Sequence, residues 1–414
     1  MPALTSSVLS SPSSVHDPVT RPKDPAYDPK DPAYDPKDHA YDPRDPIALL
    51  RSLIAIPSLS KKEAEAADLV EVAGRSAGVD VWRKDDNVVL SIGHGDSTLL
   101  LNSHLDVVPP SDGHRFDPFD PMVDEGWIYG RGSVDAKASG AAMVSALLSL
   151  AGSGWSPAEG RLMVALTACE EGGGMYNGLD AIRPELPEVT AAVIGEPTGL
   201  VPCVAQKGLL ILKIHAHGTA AHAGRPHLGV SAISRAMNAL REVEALSLPR
   251  EDPHLGAPTV TVTTIEGGSA RNAVPEHCVF AVDIRTTPAY THDEIISLIS
   301  DRLNPLDGIE VEVYSNRFFP CATPDCATGE CLLDAAITAA AELSGGPVPP
   351  FGSPTASDWI FLRDVPAIKL GPGDSNLSHS ADERIRMDEV RRAKALYTRL
   401  ARTFFHANEQ GGLS

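Results

Sequence analysis

Four short segments are apolar at consecutive positions instead of at every second one: VVLSIG from Val88, STLLLNSHLDVV from Ser97, RLMVALTACEE from Arg161 and TAAVIGEP from Thr190. A strand with one wet face alternates apolar and polar residues, so continuous runs of this kind demand cover on both faces. Between the second and third lies ASGAAMVSALLSLAG from Ala138, a helix whose small residues allow close packing on a sheet. An earlier helix is predicted over DPIALLRSLIAI, with Asp45 as N-cap and Pro46 at the first helical position. The alternation predicts an α/β layer, a mostly parallel twisted sheet flanked by helices.

The pattern changes near Gln206. GLLILKIHAHG, LGVSAISRAMNALREVEAL, PTVTVTTIEGG, CVFAVDIRTTP, THDEIISLISDRLN and IEVEVYSN read in turn as strand, helix, strand, strand, helix and strand. This is the ferredoxin-like βαββαβ order. It predicts a unit of residues 207–317 inserted into a discontinuous domain of residues 46–206 and 318–414. Two domains suit a chain of 414 residues, too long for one ordinary core. Upstream, residues 22–46 repeat PKDPAYD, PKDPAYD, PKDHAYD and PRDP. Recurring proline forbids a continuous helix there, and the apolar content is too low to offset ordering entropy, so residues 1–45 read as a disordered tail.

The formal net charge of -20 argues against nucleic acid as a partner, because phosphate binding needs a concentrated basic surface. No apolar run reaches the length that spans a membrane, and the start MPALTSSVLSSPSSVHD makes a poor secretory signal. The six cysteines are few and irregularly placed, which suits a reducing compartment and a cytoplasmic location. Cys169 has no histidine beside it to make it a nucleophile, and the spacing of Cys321, Cys326 and Cys331 reads as chance or as surface thiols. GHGDS and GRGSVD lack the strand and helix context of a dinucleotide site.

Metal-competent side chains stand at the ends of the apolar segments or just after them. They are His104 and Asp106 in NSHLDVVP, Asp135 in YGRGSVDAKASG, Glu170 and Glu171 in TACEEGGG, Glu196 in VIGEPTG, and His379 in GPGDSNLSHSADE. Open α/β sheets bind ligands outside the carboxyl ends of their strands, so these places should converge. Imidazole and carboxylate without thiolate suit zinc or a similar first-row ion. Two histidines and several carboxylates suffice for two ions if one carboxylate is shared, and Asp135, at a loop-to-helix junction, is the best placed bridge. Asp106, two residues beyond His104, is placed to accept the imidazole's other N–H. Gly371 to Gly373 predict a loop of close backbone approach near the substrate.

Taken together, HLDVVP, GRGSVDAKA, CEEGG, IGEPTG and GPGD…SHSADE resemble, in order, the di-zinc deacylase and peptidase family. That family contains acetylornithine deacetylase, succinyl-diaminopimelate desuccinylase and the glutamate carboxypeptidases. The resemblance spans nearly everything from residue 46 to residue 408. It implies two Zn2+ per chain, with Co2+ or Mn2+ substituting, one bound by His104 and Glu196, the other by Glu171 and His379, with Asp135 between them. Glu170 is then the general base and Asp106 orients His104. The inserted unit becomes a lid and dimerisation domain of a homodimer. His222 in GTAAHAGRPHLGVSAI reaches the partner subunit's site to steady the oxyanion. Asn272 and Arg285 hold the substrate's α-carboxylate, although Arg285 equally suits a structural ion pair. His215, His217 and His227 have no such place in the motif. GEPTGLVPCVAQKGLL and the His379 segment most resemble the acetylornithine deacetylase-like branch. The implied reaction is hydrolysis of the amide of a small N-acyl amino acid: N-acetyl or N-succinyl ornithine, citrulline or lysine. Succinyl-diaminopimelate desuccinylase, a di-zinc carboxypeptidase or dipeptidase, and a non-catalytic relative that binds amino-acid derivatives are the alternatives. The last is expected to have lost Glu170 or a ligand.

Overall fold

A computed structural model describes residues 42–172 and 176–411. The expectation of a disordered tail falls, up to residue 41, outside the described residues, as do Gly173 and Gly174. The last residues assigned to that tail are pinned: Ser145 Oγ donates to Pro43 O at 2.8 Å and Lys394 Nζ to Arg44 O at 2.7 Å. Asp45 caps the helix Pro46–Ile54 by accepting from Ile47 N at 3.0 Å.

The central sheet runs, edge to edge, through Asp80–Lys84, Asn87–Ile92, Gly160–Thr167, Ser97–His104, Ala191–Ile194, Ala367–Lys369, Cys203–Gln206 and Cys321–Ala322. Phe351–Ser353 also pairs with Cys203–Gln206, in parallel. The four strands from Gly160–Thr167 to Ala367–Lys369 are mutually parallel. Antiparallel pairs close both edges, so the sheet is mixed around a parallel centre.

Both faces of that centre are covered, which accounts for the continuous apolar runs. Leu99, Leu101 and Val193 face one core with the helices Pro46–Ile54, Lys137–Gly152 and Met387–Gly411. Leu100, Ala192 and Ile194 face a second core that holds Trp359 and Leu362. Each fully buried Leu in such a strand contributes about 1.5–3 kcal/mol, so a polar residue on either face is costly.

Residues 208–318 build a second sheet, antiparallel, in the order Thr259–Gly267, His277–Thr286, Gly208–His217, Ile309–Phe318. Here only one face is buried, and the strand Gly208–His217 alternates strictly between buried and partly exposed positions. Helices Ala232–Glu244 and His292–Leu303 join its core with Leu210, Leu212, Ile214, Phe280, Val282 and Ile284. The second helix starts on a capping box between Thr291 and Glu294. The order of elements is the ferredoxin-like one. No helix among the described residues is long and apolar enough to cross a membrane.

Candidate active site

Three consecutive backbone N–H groups organise the site. The strand Gly160–Thr167 ends before the glutamates, and Cys169 turns the chain with a left-handed φ of 59°. The Cys169 N–H donates to Glu63 Oε1 at 3.1 Å. Those of Glu170 and Glu171 donate to Asp106 Oδ1 and Oδ2, each at 3.0 Å. Ser60 Oγ adds a 2.7 Å bond to Asp106 Oδ2. A carboxylate that accepts from two successive peptides fixes both, so the adjacent glutamates are aimed by this clamp and not by strand alternation.

Asp106 also meets the His104 ring, chiefly through its backbone. His104 Nδ1 donates to the backbone carbonyl of Asp106 at 2.9 Å, while the nearer carboxylate oxygen stands 3.6 Å from the ring. The carbonyl fixes the tautomer and leaves Nε2 facing Asp135 Oδ1 at 3.3 Å.

Asp135 is held from behind. Val134 N and Asp135 N donate to Glu383 Oε1 at 2.9 and 3.1 Å. Glu383 is ion-paired with Arg131, both side chains 1% exposed. Arg131 also donates to the His379 carbonyl at 3.3 Å, tying the Asp135 turn to the His379 loop. The Asp135–Ala136 peptide bond is cis. Lys137 Nζ anchors the following helix on the Leu53 and Ile56 carbonyls at 2.8 and 2.9 Å, and burial brings its pKa down to about 7.

His379 has a φ of 62°, a backbone region that non-glycine residues enter at a cost and that recurs at functional sites. Its Nε2 lies 2.7 Å from Glu171 Oε1 and 3.4 Å from Asp135 Oδ2. Glu196 follows the strand Ala191–Ile194. Ser103 Oγ stands 3.1 Å from Gly195 O and 3.2 Å from Ala136 O, joining the two turns. Gly371 backs onto Glu196 so closely that a Cβ would meet its carbonyl oxygen at 2.5 Å.

Two sets of ligand-competent groups result, His104 with Asp135 and Glu196, and Asp135 with Glu171 and His379, each with its donor atoms within 4.8 Å of one another. Asp135 belongs to both. His104, Glu170 and Glu171 form a third, overlapping set. These groups, apart from the buried His104, line a cavity of about 300 Å³.

The side chains alone leave this cluster short of positive charge. Burial, then the charges of Glu196, Asp358 and Glu171, raises Glu170 well above the carboxylate range against the pull of His104. Burial, then Asp135, pushes Glu196 up to about 7. Burial brings Asp358, which accepts from Asn177 Nδ2 at 2.6 Å, to about 6. Bonds to Asp135 and Glu171 push His379 up to about 10. For Asp135, burial opposes ionisation, yet the two histidines outweigh it and hold the carboxyl well below its usual range. A carboxylate-rich, imidazole-containing and thiolate-free donor set with excess negative charge fits a pair of divalent ions.

The Arg131–Glu383 pair and the clamp residues Ser60 and Glu63 were missed by sequence reasoning. Arg131 and Glu383 lie inside the motifs GRGSVDAKA and SHSADE, which was the available signal. Ser60 and Glu63 carry none, because their partners lie far along the chain. Removing one partner of a buried ion pair strands the other, so Arg131→Met is expected to lower stability by about 3–5 kcal/mol. Thermal or denaturant unfolding checks this, and a loss below about 1 kcal/mol contradicts it.

The other predicted residues lie elsewhere. His222 sits on a two-stranded ribbon with Ala273, and Ala223 N donates to Asn272 O at 2.8 Å, so His222 and Asn272 are neighbours. Neither they nor Arg285 are among the described residues lining the cavity. Arg285 pairs with its neighbour Asp283 at 2.9 and 3.3 Å. Of the three spaced thiols only Cys326 is exposed, whereas Cys321 is buried in the sheet and Cys331 is partly buried, so they are not a surface set.

An open α/β sheet whose strand ends gather two ligand sets around a shared carboxylate is the layout of a metal-type hydrolase. The chain belongs to peptidase family M20/M25/M40, which it matches over residues 100–403, and it is a hydrolase of that family. It is 28% identical over 386 residues to a succinyl-diaminopimelate desuccinylase of Dinoroseobacter shibae, covering 87% of this chain and 99% of the relative. Among solved structures it resembles the aminopeptidase PepT of Bacillus cereus, with a TM-score of 0.71 at 22% identity over 87% of this chain and 98% of that one. It also resembles a dinuclear metal-binding M20 peptidase of Bacillus subtilis, with a TM-score of 0.65 at 15% identity over 86% and 96%. Both likenesses concern the fold.

Proposed function

We propose that the protein hydrolyses the amide bond of an N-acyl amino acid, with an N-succinyl diamino acid as its preferred substrate. The observation that carries this reading is the pair of ligand sets sharing Asp135, with Glu170 beside them in the same cavity. In this reading His104 and Glu196 would hold one divalent ion and Glu171 and His379 the other, with Asp135 available to both sets, zinc being the metal that suits the donors. Such ions supply Lewis acidity toward the amide carbonyl and toward the attacking water. Glu170 takes a proton from that water as the carbon–oxygen bond forms, and delivers it to the amine nitrogen as the carbon–nitrogen bond breaks. Burial and neighbouring carboxylates raise its pKa, which strengthens it as an acceptor of the water's proton.

The acyl preference moves from the acetylornithine-type reading of the motifs toward succinyl, supported by the desuccinylase relative. Zinc-loaded protein assayed on N-succinyl and N-acetyl forms of ornithine, citrulline, lysine and diaminopimelate should cleave a succinyl diamino acid fastest. Absence of hydrolysis across the panel, with dipeptides cleaved instead, would overturn the deacylase reading in favour of a peptidase.

Homodimerisation through the second sheet is part of this proposal. His222, presented outside the cavity beside Asn272, then acts at the cavity of a second copy, as the resemblance implies, and Asn272 holds the substrate's α-carboxylate. Mixing His222→Ala chains with Glu170→Gln chains should restore part of the activity each lacks alone, and no recovery would contradict action across subunits. Six free cysteines support a reducing, cytoplasmic setting.

A further inference from the structure

Lys369 is the one lysine or arginine among the described residues lining the cavity, whose wall otherwise carries Asp135, Glu170, Glu171 and Glu196. It ends the strand Ala367–Lys369 in register with Ile194, two residues before Glu196. The residue is 2% exposed, and it forms no ion pair among the described residues. Its Nζ instead donates to Ser353 Oγ at 3.1 Å, Thr355 O at 3.1 Å and Thr355 Oγ1 at 3.3 Å. Those three bonds use all three of its donors. Ser353 Oγ and Thr355 Oγ1 are themselves 2.9 Å apart, and Thr355 is exposed while Ser353 is buried.

Burying a positive charge without a carboxylate partner is costly, and tying a loop to a sheet does not require it. Ser353 Oγ also accepts from Thr355 N at 3.3 Å and donates to Thr355 O at 3.4 Å, so the exposed Thr355 hydroxyl, backed by the buried cation, is the donor open to an anion arriving from the cavity.

We infer that Lys369, acting through Ser353 and Thr355, forms a carboxylate-binding subsite that selects substrates carrying a carboxylate beyond the scissile amide. The inference rests on the proposed deacylase reading and deepens it. The carboxylate belongs either to the acyl group, as in succinyl, or to the amino acid. Lys369 and Ser353 position and polarise the Thr355 hydroxyl that meets it, and Lys369 takes no part in the bond-breaking step.

The test compares Lys369→Met and Thr355→Val with the metal-loaded parent protein on two substrate pairs. One pair is an N-succinyl amino acid and its N-butyryl analogue, the other an N-acyl amino acid and its α-carboxamide. For one pair, kcat/KM of the carboxylate-bearing member should fall about 10- to 100-fold while its uncharged counterpart changes by less than about 3-fold. Lys369→Arg should recover part of the loss. The pair that responds identifies which carboxylate the subsite holds. Equal losses across both members of both pairs, or no losses, would overturn the inference, since a merely structural lysine does not discriminate charge. Calorimetric binding of succinate against butyrate provides a second reading. A preference for succinate that Lys369→Met abolishes supports the subsite even if no panel substrate is turned over, in which case only the functional reading fails. No such preference, with no response of the α-carboxamide pair, sinks the subsite itself.

Discussion

Replacing Glu170 by Gln is expected to lower kcat by about 10²- to 10⁴-fold, the usual worth of a positioned general base, while the metal content and fold stay as they were. The amide keeps the shape of the side chain and loses its ability to accept a proton. Glu170 belongs to neither of the two sets that share Asp135, so its replacement leaves both donor sets complete. Its pKa is raised chiefly by burial, so at neutral pH ionisation of this group is disfavoured in the folded chain relative to the unfolded one. A neutral glutamine removes that penalty, and the metal-free variant should melt no lower than the parent. Steady-state kinetics with metal analysis and a melting curve check all of this. Retention of most of the activity would show that another group carries the proton.

The second large effect is expected from Asp106→Asn. Both carboxylate oxygens of Asp106 act only as acceptors, one for the Glu170 N–H and the other for the Glu171 N–H and the Ser60 hydroxyl. An asparagine must turn its NH2 toward one of these donors and leave a buried N–H without an acceptor. The expected loss is about 1–3 kcal/mol of stability. Because the same two bonds aim Glu170 and Glu171, a fall of about 10- to 100-fold in metal affinity or activity should accompany it. If Asp106 acted only through the His104 ring, the variant would retain its stability. The 2.9 Å bond from the ring goes to the Asp106 backbone carbonyl, which the substitution leaves in place.

Much of this was legible in the sequence for a simple physical reason. Strands buried on both faces have continuous apolar text, so the parallel centre of the sheet and the polar residues at its ends stood out. His104, Asp135, Glu170, Glu171, Glu196 and His379 do gather in one place. The aiming of the Glu170–Glu171 pair was not legible. The strand ends at Thr167, and the direction comes from two carboxylates, Glu63 and Asp106, that are distant in sequence. Arg131 and Glu383 lie inside legible motifs, but their pairing across far segments leaves no local pattern. Lys369 was concealed differently, since a lysine at the end of AIK reads as a strand terminus meeting solvent until the sheet order buries it.

The proposed function stands on the Asp135-centred cluster being a two-ion hydrolytic centre. Metal analysis of the purified, zinc-reconstituted protein tests it most directly. About two ions per chain are predicted, with Asp135→Ala losing both, because a shared carboxylate serves each set. Protein that stays folded and close to metal-free after zinc or cobalt addition, and hydrolyses no N-acyl amino acid, would contradict it.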